Sequence, residues 1–230
     1  MRQVIAAAAV FLAACTSAFP QAKSLGSGPQ RMELTLERRE ASVWRIVDPG
    51  LVFAQNDRVR FRFRTNFDGF LYVMNQSTSG KYEMLFPRED TGEQNRIEAG
   101  VEYVVPATQG WFRISGPPGH DVLYWMVTPM PLGSQPKYAP LPPPPKAGPA
   151  PLRITPRCDE TIWRARGACI DTSAGPKGIR GEEALPENLK GIPGATSREL
   201  FFIREKNSSV VSSPEPLKGP VIYEFHLAHK

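Results

Sequence analysis

The sequence predicts an all-β protein whose body is an antiparallel β-sandwich, Ig-like or jelly-roll-like. Short segments of alternating apolar and polar residues recur about every ten residues from Met32 to Thr128, a spacing typical of sandwiches. The chain contains 24 prolines and 19 glycines, which favours many turns over long helices. With 230 residues, 41% of them hydrophobic, it is long enough to bury a core of ordinary size.

Residues 1–14 have the composition of an export signal. Arg2 precedes an apolar run from Val4 to Ala14, and small residues end that run before Cys15. The run of 11 residues is too short to span a bilayer, which needs about 20. We therefore expect residues 1–14 to be a cleaved signal peptide and the protein to be exported.

Cys15 is predicted to carry a lipid anchor. Leu12-Ala13-Ala14-Cys15 resembles the lipobox of bacterial lipoproteins, in which the cysteine is acylated, for example with palmitate. The alternative is ordinary cleavage a few residues further on, which leaves a soluble secreted protein. Thr16 resembles the outer-membrane sorting pattern, so the expected location is the periplasmic side of the outer membrane. Residues 15–31 are small, polar and aperiodic, which predicts a flexible tether.

Residues 32–132 are predicted to form the β-sandwich domain. Val59, Phe61 and Phe63 alternate with arginines, and the turn residues 66–69 lead to an apolar strand, which predicts a hairpin here. The other predicted strands are Met32–Glu37, Ala41–Val47, Leu51–Ala54, Tyr82–Phe86, Val101–Val105, Trp111–Ile114 and Val122–Thr128.

The arginines of that hairpin, Arg58, Arg60, Arg62 and Arg64, occupy every second position. They are predicted to line the solvated face of the strand and to pair with acids such as Glu83 or Glu102. The alternative is a partner surface for an acidic glycan, a lipid phosphate or another envelope protein. Residues 31–132 hold 12 Lys+Arg and 13 Asp+Glu, so the basic field of a nucleic-acid-binding domain is missing and no nucleic-acid partner is expected.

The second half of the chain is divided by composition. Nine of the 24 residues in 133–156 are proline, which predicts an extended polyproline-II linker. Residues 157–198 are predicted to be an irregular region with a disulfide between Cys158 and Cys169, the two cysteines that remain after Cys15. In residues 199–230, strands at Glu199–Arg204 and Val221–Ala228 are predicted to form a C-terminal hairpin that packs on the sandwich, because an isolated hairpin is marginally stable.

The sequence offers no catalytic set, no cofactor motif and no metal site. It lacks G-x-S-x-G and H-E-x-x-H motifs, and His120 is expected in a solvated turn. His226 and His229 are the remaining zinc-ligand candidates beside the two thiols, and three positions apart on a strand they point to opposite faces. Trp44, Trp111 and Trp125 are expected in the core, with a carbohydrate-stacking platform as the alternative.

Several ordered motifs together resemble one bacterial family. DRVRFRFRTNFDGFLYV, MLFP, NRIEAG and SGPPG are similar to the family known as domain of unknown function 4384, over about residues 50–132. Asn56 stands where that family usually has glycine, Phe70 replaces a tyrosine, and His120 replaces another polar residue. The resemblance implies a non-catalytic β module without an established ligand.

These observations predict a non-catalytic bacterial envelope lipoprotein, not an enzyme. Its sandwich is expected to bind or scaffold another envelope component, either a protein or an acidic polymer, and the membrane is expected to be reached through the lipid on Cys15. The alternative is a cell-wall glycan-binding or glycan-processing protein.

Overall fold

The computed structural model describes residues 29–134, 142–146, 155–179, 181–190, 192, 200–205, 208–213 and 219–230. The predicted signal peptide, Cys15 and most of the predicted tether lie outside these ranges, as do residues 135–141 and 147–154 of the predicted linker. Within the described ranges, no helix is long and apolar enough to cross a membrane.

The described residues form two antiparallel sheets. The strands are β1 (Gln30–Glu40), β2 (Val43–Val47), β3 (Arg58–Thr65), β4 (Gly69–Gln76), β5 (Tyr82–Phe86), β6 (Arg96–Ile97), β7 (Glu102–Val105), β8 (Phe112–Arg113), β9 (Gly119–Thr128), β10 (Gly175–Lys177), β11 (Phe201–Arg204), β12 (Ser209–Ser213) and β13 (Val221–His229). The first sheet has the order β11-β12-β1-β3-β7, with β2 paired to β1 and β8 to β3. The second has the order β10-β13-β9-β4-β5, with β6 paired to β4. The predicted all-β antiparallel sandwich is confirmed.

The core lies between the two sheets and is built from alternate residues of their strands. Val59, Phe61 and Phe63 of β3 are fully buried there. The ring of Trp125 in β9 has its centroid 5.3 Å from that of Phe61 and 5.4 Å from that of Phe63, distances at which aromatic rings attract one another. Because these residues of β3 point inward, the intervening arginines must point outward.

The hairpin predicted across residues 66–69 is wrong. β3 pairs with β1, β7 and β8 in the first sheet, whereas β4 pairs with β5, β6 and β9 in the second. The turn therefore carries the chain from one sheet to the other, so that the apolar faces of β3 and β4 meet across the core. Alternation indicates which face of a strand is buried, but it does not indicate the neighbouring strand.

The pairing predicted for the C-terminal region is also wrong, although the region does return to the sandwich. β11 pairs with β12 in the first sheet, and β13 pairs with β9 and β10 in the second. β12 was not predicted, because its five residues are mostly serine and carry a weak strand signal. Because β11 pairs with β12, β13 is not its partner and pairs with β9 of the second sheet instead.

The predicted strand at Leu51–Ala54 is absent from the described residues. Val52 N donates to Cys169 O at 2.9 Å, and Phe53 N donates to Ala228 O at 2.9 Å. Successive backbone groups thus bond to two different segments, and no single strand runs alongside. The result is a pair of isolated bridges, Leu51 to Ile170 and Phe53 to His229.

Cys158 and Cys169 form the predicted disulfide, with their Cα atoms 4.8 Å apart. The loop that it closes contains helix α1 (Glu160–Arg166), which was not predicted. Asp159 caps the helix by accepting from Ile162 N at 2.9 Å, and Gly167 ends it with a φ of 65°. Aspartate before and glycine after are boundary signals, but seven residues are too few to show helical periodicity.

Residues 181–190, with Ile179 and Ile192 beside them, cover the outer face of the second sheet. Leu185 and Leu189 are buried against Met74, Tyr124 and Met126, which point away from the sandwich core. The second sheet is therefore buried on both sides, while the outer face of the first sheet has no comparable apolar cover among the described residues.

Candidate functional site

The arginines predicted at alternate positions lie side by side on the outer face of the first sheet. Strand β1 runs next to β3 with Glu33 opposite Arg64, Thr35 opposite Arg62 and Glu37 opposite Arg60. On the other side of β3, Glu102 of β7 is opposite Arg64. The sheet register therefore places carboxylates directly beside part of the arginine row.

Glu37 binds the two central arginines of this row, Arg60 and Arg62. Its carboxylate lies 2.5 Å from Arg60 Nε and 3.0 Å from Arg62 Nε, and its side chain is only 3% exposed. Arg62 Nη1 reaches Glu102 at 2.8 Å, which is one of the pairings expected from the sequence. Glu83, the other expected partner, lies on β5 of the opposite sheet and binds Arg88 at 2.5 Å instead.

One end of the face carries a cluster that the sequence did not reveal, which we call the arginine–tryptophan cluster: Arg39, Trp44, Arg58, Arg60 and Trp111. The guanidinium carbon of Arg58 lies 4.5 Å from the ring centroid of Trp111, and that of Arg60 lies 4.4 Å from the centroid of Trp44. Arg39 lies between the two indoles, at 5.8 Å from Trp44 and 5.3 Å from Trp111. Cations at such distances from an aromatic face are attracted to it.

Part of this end is not neutralised. Within the described part of the chain, Arg39, Arg58 and the neighbouring Arg113 have no carboxylate within 4.0 Å. The row and its flanks carry six arginines against the three glutamates Glu33, Glu37 and Glu102: Arg39, Arg58, Arg60, Arg62, Arg64 and, on β8 where the outer face meets the edge of the sheet, Arg113. The surface is therefore positively charged, although the region as a whole has almost equal numbers of acids and bases.

Trp44 and Trp111 correct the expectation that all three tryptophans lie in the core. Trp125 is fully buried there, but Trp44 is paired opposite Arg39 on the outer face and Trp111 is 38% exposed. The position of Trp44 depends on the register of β1 and β2, and that of Trp111 on its contact with Arg58. The first contact forms across the tight turn between β1 and β2, whereas the second joins residues that are far apart in the sequence, so no periodicity could have shown the whole cluster.

His120 also differs from expectation, because it lies on β9 and its side chain is only 11% exposed. Its Nε2 is 3.2 Å from Asp171 Oδ2 and 3.5 Å from Ser173 Oγ, while Ser173 Oγ donates to Asp171 Oδ1 at 2.6 Å. A nucleophilic triad uses both ring nitrogens of histidine, one for the acid and one for the serine. Here one nitrogen approaches both groups, and the cluster attaches residues 171–173 to β9.

The described residues contain no group of three or more His, Cys, Asp and Glu side chains that could hold a metal ion. His226 Nε2 lies 2.7 Å from Glu224, and His229 Nε2 lies 3.5 Å from Asp121. The two histidines point to opposite faces of β13, since Phe225 and Leu227, which have the parity of His229, face the core.

The fold and the outer face define an all-β sandwich with a cationic, tryptophan-lined surface. Residues 52–131 match the family model described as Domain of unknown function (DUF4384). No curated protein and no solved structure matches the chain. The resemblance seen in the sequence is confirmed for that segment, which spans β3 to β9. Arg39 and Trp44 lie outside it, so the arginine–tryptophan cluster is completed by strands β1 and β2.

Proposed function

We propose that the protein is a non-catalytic envelope lipoprotein whose sandwich binds an acidic envelope component through the outer face of the first sheet. The observation that supports this most is that Arg39 and Arg58 are held against Trp44 and Trp111 with no carboxylate within 4.0 Å among the described residues. The lipobox at Cys15 supports the envelope location and lies outside the described residues.

The chemistry of the arginine–tryptophan cluster suits a polymer that carries carboxylates or phosphates on rings. A guanidinium group binds either anion with two parallel hydrogen bonds, and its planar shape is already oriented by the indole beside it. The indoles offer flat apolar surface on which a sugar ring can pack. Glu33, Glu37 and Glu102 neutralise the middle of the row, which concentrates binding at the end near Trp111.

Binding is tested with polygalacturonate as an acidic polymer and dextran as a neutral one, using the full chain with Cys15→Ser. We expect polygalacturonate to bind and dextran not to bind. The double variant Arg39→Gln with Arg58→Gln should weaken binding by at least about tenfold, because each arginine contributes charged hydrogen bonds. Arg96→Gln, which changes a 68% exposed arginine on the other sheet, is the matched control and should bind normally. Equal binding by the double variant would defeat the proposal.

The anchor is tested in cells by labelling with a palmitate analogue. The intact protein should be labelled and Cys15→Ala should not be. Absence of label in both proteins would remove the lipoprotein part of the proposal and leave the binding face to be judged by the polymer experiment.

The exposed Trp111 also supports the second candidate, a cell-wall glycan-binding protein, of which glycan processing is the catalytic form. Incubation of the purified protein with cell-wall polymer separates the two forms. Release of soluble fragments that is lost on changing one carboxylate would favour processing, and binding without release would favour the non-catalytic protein.

A further inference from the structure

A cleft of about 390 Å³ opens between the two sheets at the end of the sandwich where β4 turns into β5. Residues 77–83 form one wall and residues 111–116 form the other, and the bottom is closed by core side chains that include Val59, Phe61 and Leu123. Its volume lies in the range of about 300 to 1,000 Å³ that is usual for small-ligand sites. Trp111 belongs both to this cleft and to the arginine–tryptophan cluster.

The cleft exists because polar residues occupy inward-facing positions. Asn75 follows Leu71 and Val73 on the inner face of β4, and it is paired with Glu83 on β5. In the described part of the chain the buried Asn75 Oδ1 has no hydrogen-bond partner. Buried polar atoms are nearly always hydrogen-bonded, so a donor that enters the cleft, such as a ligand hydroxyl, would satisfy this acceptor once the amide turns toward the cleft.

The charges around the cleft favour an anion. Glu83 is occupied by Arg88 at 2.5 Å, and Arg88 Nη2 also donates to Asp90 Oδ2 at 2.7 Å. Asp121 is buried and accepts from Thr78 N at 2.8 Å, with His229 Nε2 at 3.5 Å. Lys81 on one wall and Arg113 on the other have no carboxylate within 4.0 Å among the residues described, so they remain available.

We infer that this cleft binds a single acidic sugar residue, that is, a hydroxyl-bearing ring with one carboxylate or phosphate. Trp111 provides a surface for the ring, Asn75 accepts from a ring hydroxyl, and Lys81 and Arg113 bind the anion. A purely apolar ligand would leave Asn75 Oδ1 unpartnered, and a bare inorganic anion would not fill the cleft. The assignment rests on the proposed function in one respect. Trp111 belongs to both sites, so the acidic polymer bound at the arginine–tryptophan cluster would supply the sugar residue that enters the cleft.

Binding of galacturonic acid, galactose 1-phosphate and galactose to the full chain carrying Cys15→Ser is measured by titration calorimetry. At least one acidic sugar should bind, and galactose should bind at least about tenfold more weakly, because it cannot use the charged hydrogen bonds of Lys81 and Arg113. The double variant Lys81→Gln with Arg113→Gln should lose that preference. Arg96→Gln should keep it.

Asn75→Leu separates a binding role from a structural one. Leucine removes the unpartnered acceptor from an inward position, so the thermal unfolding temperature should stay level or rise while the affinity for the acidic sugar falls by about tenfold or more. Unchanged affinity in a folded Asn75→Leu protein would overturn the assignment, as would equal affinity for galactose and galacturonic acid.

The outcomes distinguish this inference from the proposed function. If polygalacturonate binds and depends on Arg39 and Arg58, but no acidic monosaccharide binds, the cleft assignment fails and the proposed function stands. If an acidic monosaccharide binds and depends on Asn75, but the polymer does not depend on Arg39 and Arg58, the cleft assignment stands and the proposed binding face fails.

Discussion

The outer faces of the two sheets differ in what covers them. On the first sheet the outward positions of β3 are arginines, held by Glu33, Glu37 and Glu102 and otherwise open. On the second sheet the outward positions include Met74, Tyr124 and Met126, which lie beneath Leu185 and Leu189. The same sandwich therefore presents a charged surface on one side and a second apolar layer on the other.

This difference separates a face that adds to stability from the face to which the proposed function assigns binding. Burying apolar outward side chains of the second sheet adds hydrophobic stabilisation beyond that of the central core. The first sheet gains less, because ion pairs that remain partly in water contribute little. The open face carries the guanidinium groups of Arg39 and Arg58, which lie against tryptophan rings and have no carboxylate within 4.0 Å among the described residues.

The largest expected effect concerns the disulfide, which lies just before the covering segment. Cys158 and Cys169 are 11 positions apart, and a crosslink of that span contributes about 3 kcal/mol in the chain-entropy model. Reduction should lower the free energy of unfolding in urea by about that amount. The measurement uses the Cys15→Ser chain with and without reductant.

A variant that also carries Cys158→Ser and Cys169→Ser is the control and should not respond to reductant. Hydrogen exchange should show the loss of protection first around Leu185 and Leu189, and last in β3. If reduction left hydrogen-exchange protection around Leu185 and Leu189 unchanged and lowered it in β3, the comparison between the two faces would be wrong.

The second effect comes from truncating the cover itself. Leu189 is 1% exposed, and Leu189→Ala should reduce the free energy of unfolding by about 2 to 3 kcal/mol, the lower part of the range for buried leucines because a loop can settle into the gap. Ile46 on the open face is 48% exposed, and Ile46→Ala should change stability by no more than about 0.5 kcal/mol. Equal losses in urea unfolding would show that residues 181–190 do not act as a cover.

The sequence contained the signal for a doubly buried sheet but not for its cover. In β9, Val122, Tyr124 and Met126 are apolar at the positions that alternate with Leu123 and Trp125, a composition typical of a strand buried on both faces, although the segment was predicted only as a sandwich strand. The covering segment has no helical or strand periodicity, and its contacts are distant in the chain. No local pattern therefore assigned Leu185 and Leu189 to that face.

The open face was more predictable than the pairing of its strands. Alternation correctly placed Arg60, Arg62 and Arg64 outside and Phe61 inside, and Glu102 was named as an ion-pair partner. The hairpin with β4 was wrong because a turn of this composition serves equally to cross between sheets. Arg39, which has no carboxylate within 4.0 Å in the part of the chain that the structure describes, was not predicted to join this face because its contacts with Trp44 and Trp111 arise only after β1, β2 and the segment around Trp111 are assembled.

A third effect is expected at the one deeply buried carboxylate of the arginine row. Glu37→Gln removes the charge that binds Arg60 and Arg62, and the free energy of unfolding should fall by about 1.5 kcal/mol because hydrogen bonds to a charged group are lost. Glu102 is 49% exposed, so Glu102→Gln should change stability by less than about 0.5 kcal/mol in the same urea experiment.

Glu37→Gln and Glu102→Gln also test whether the outer face of the first sheet binds the acidic polymer. Glu37→Gln releases two arginines, so binding of polygalacturonate should become tighter and more sensitive to salt, while stability falls. If the affinity falls in parallel with stability, the arginine row supports only the fold.

The smallest effect concerns Asp171, which lies between α1 and the covering segment and binds His120 of β9; we call residues 155–179 the insertion. Burial by itself would raise the pKa of Asp171, but hydrogen bonds from the hydroxyl and amide of Ser173 and from the Arg157 amide, together with the charge of His120, hold it below the usual value of 3.8. A carboxyl group whose pKa is lowered on folding stabilises the protein above its unfolded pKa, and this contribution disappears as the pH falls through the folded value. At pH 7 the free energy of unfolding of Asp171→Asn should be lower by about 1 kcal/mol, somewhat less than the roughly 1.5 to 3 kcal/mol of hydrogen bonds to a charged group, because asparagine retains one acceptor. The difference in free energy of unfolding between the variant and the parent should narrow as the pH falls below about 5 and close in strong acid, as measured by urea unfolding at a series of pH values.

The control is Glu160→Gln, which changes an exposed carboxylate on α1 of the same insertion and should show a smaller difference at every pH. A difference for Asp171→Asn that persists unchanged in acid would mean that the charge of Asp171 does not hold the insertion on the second sheet.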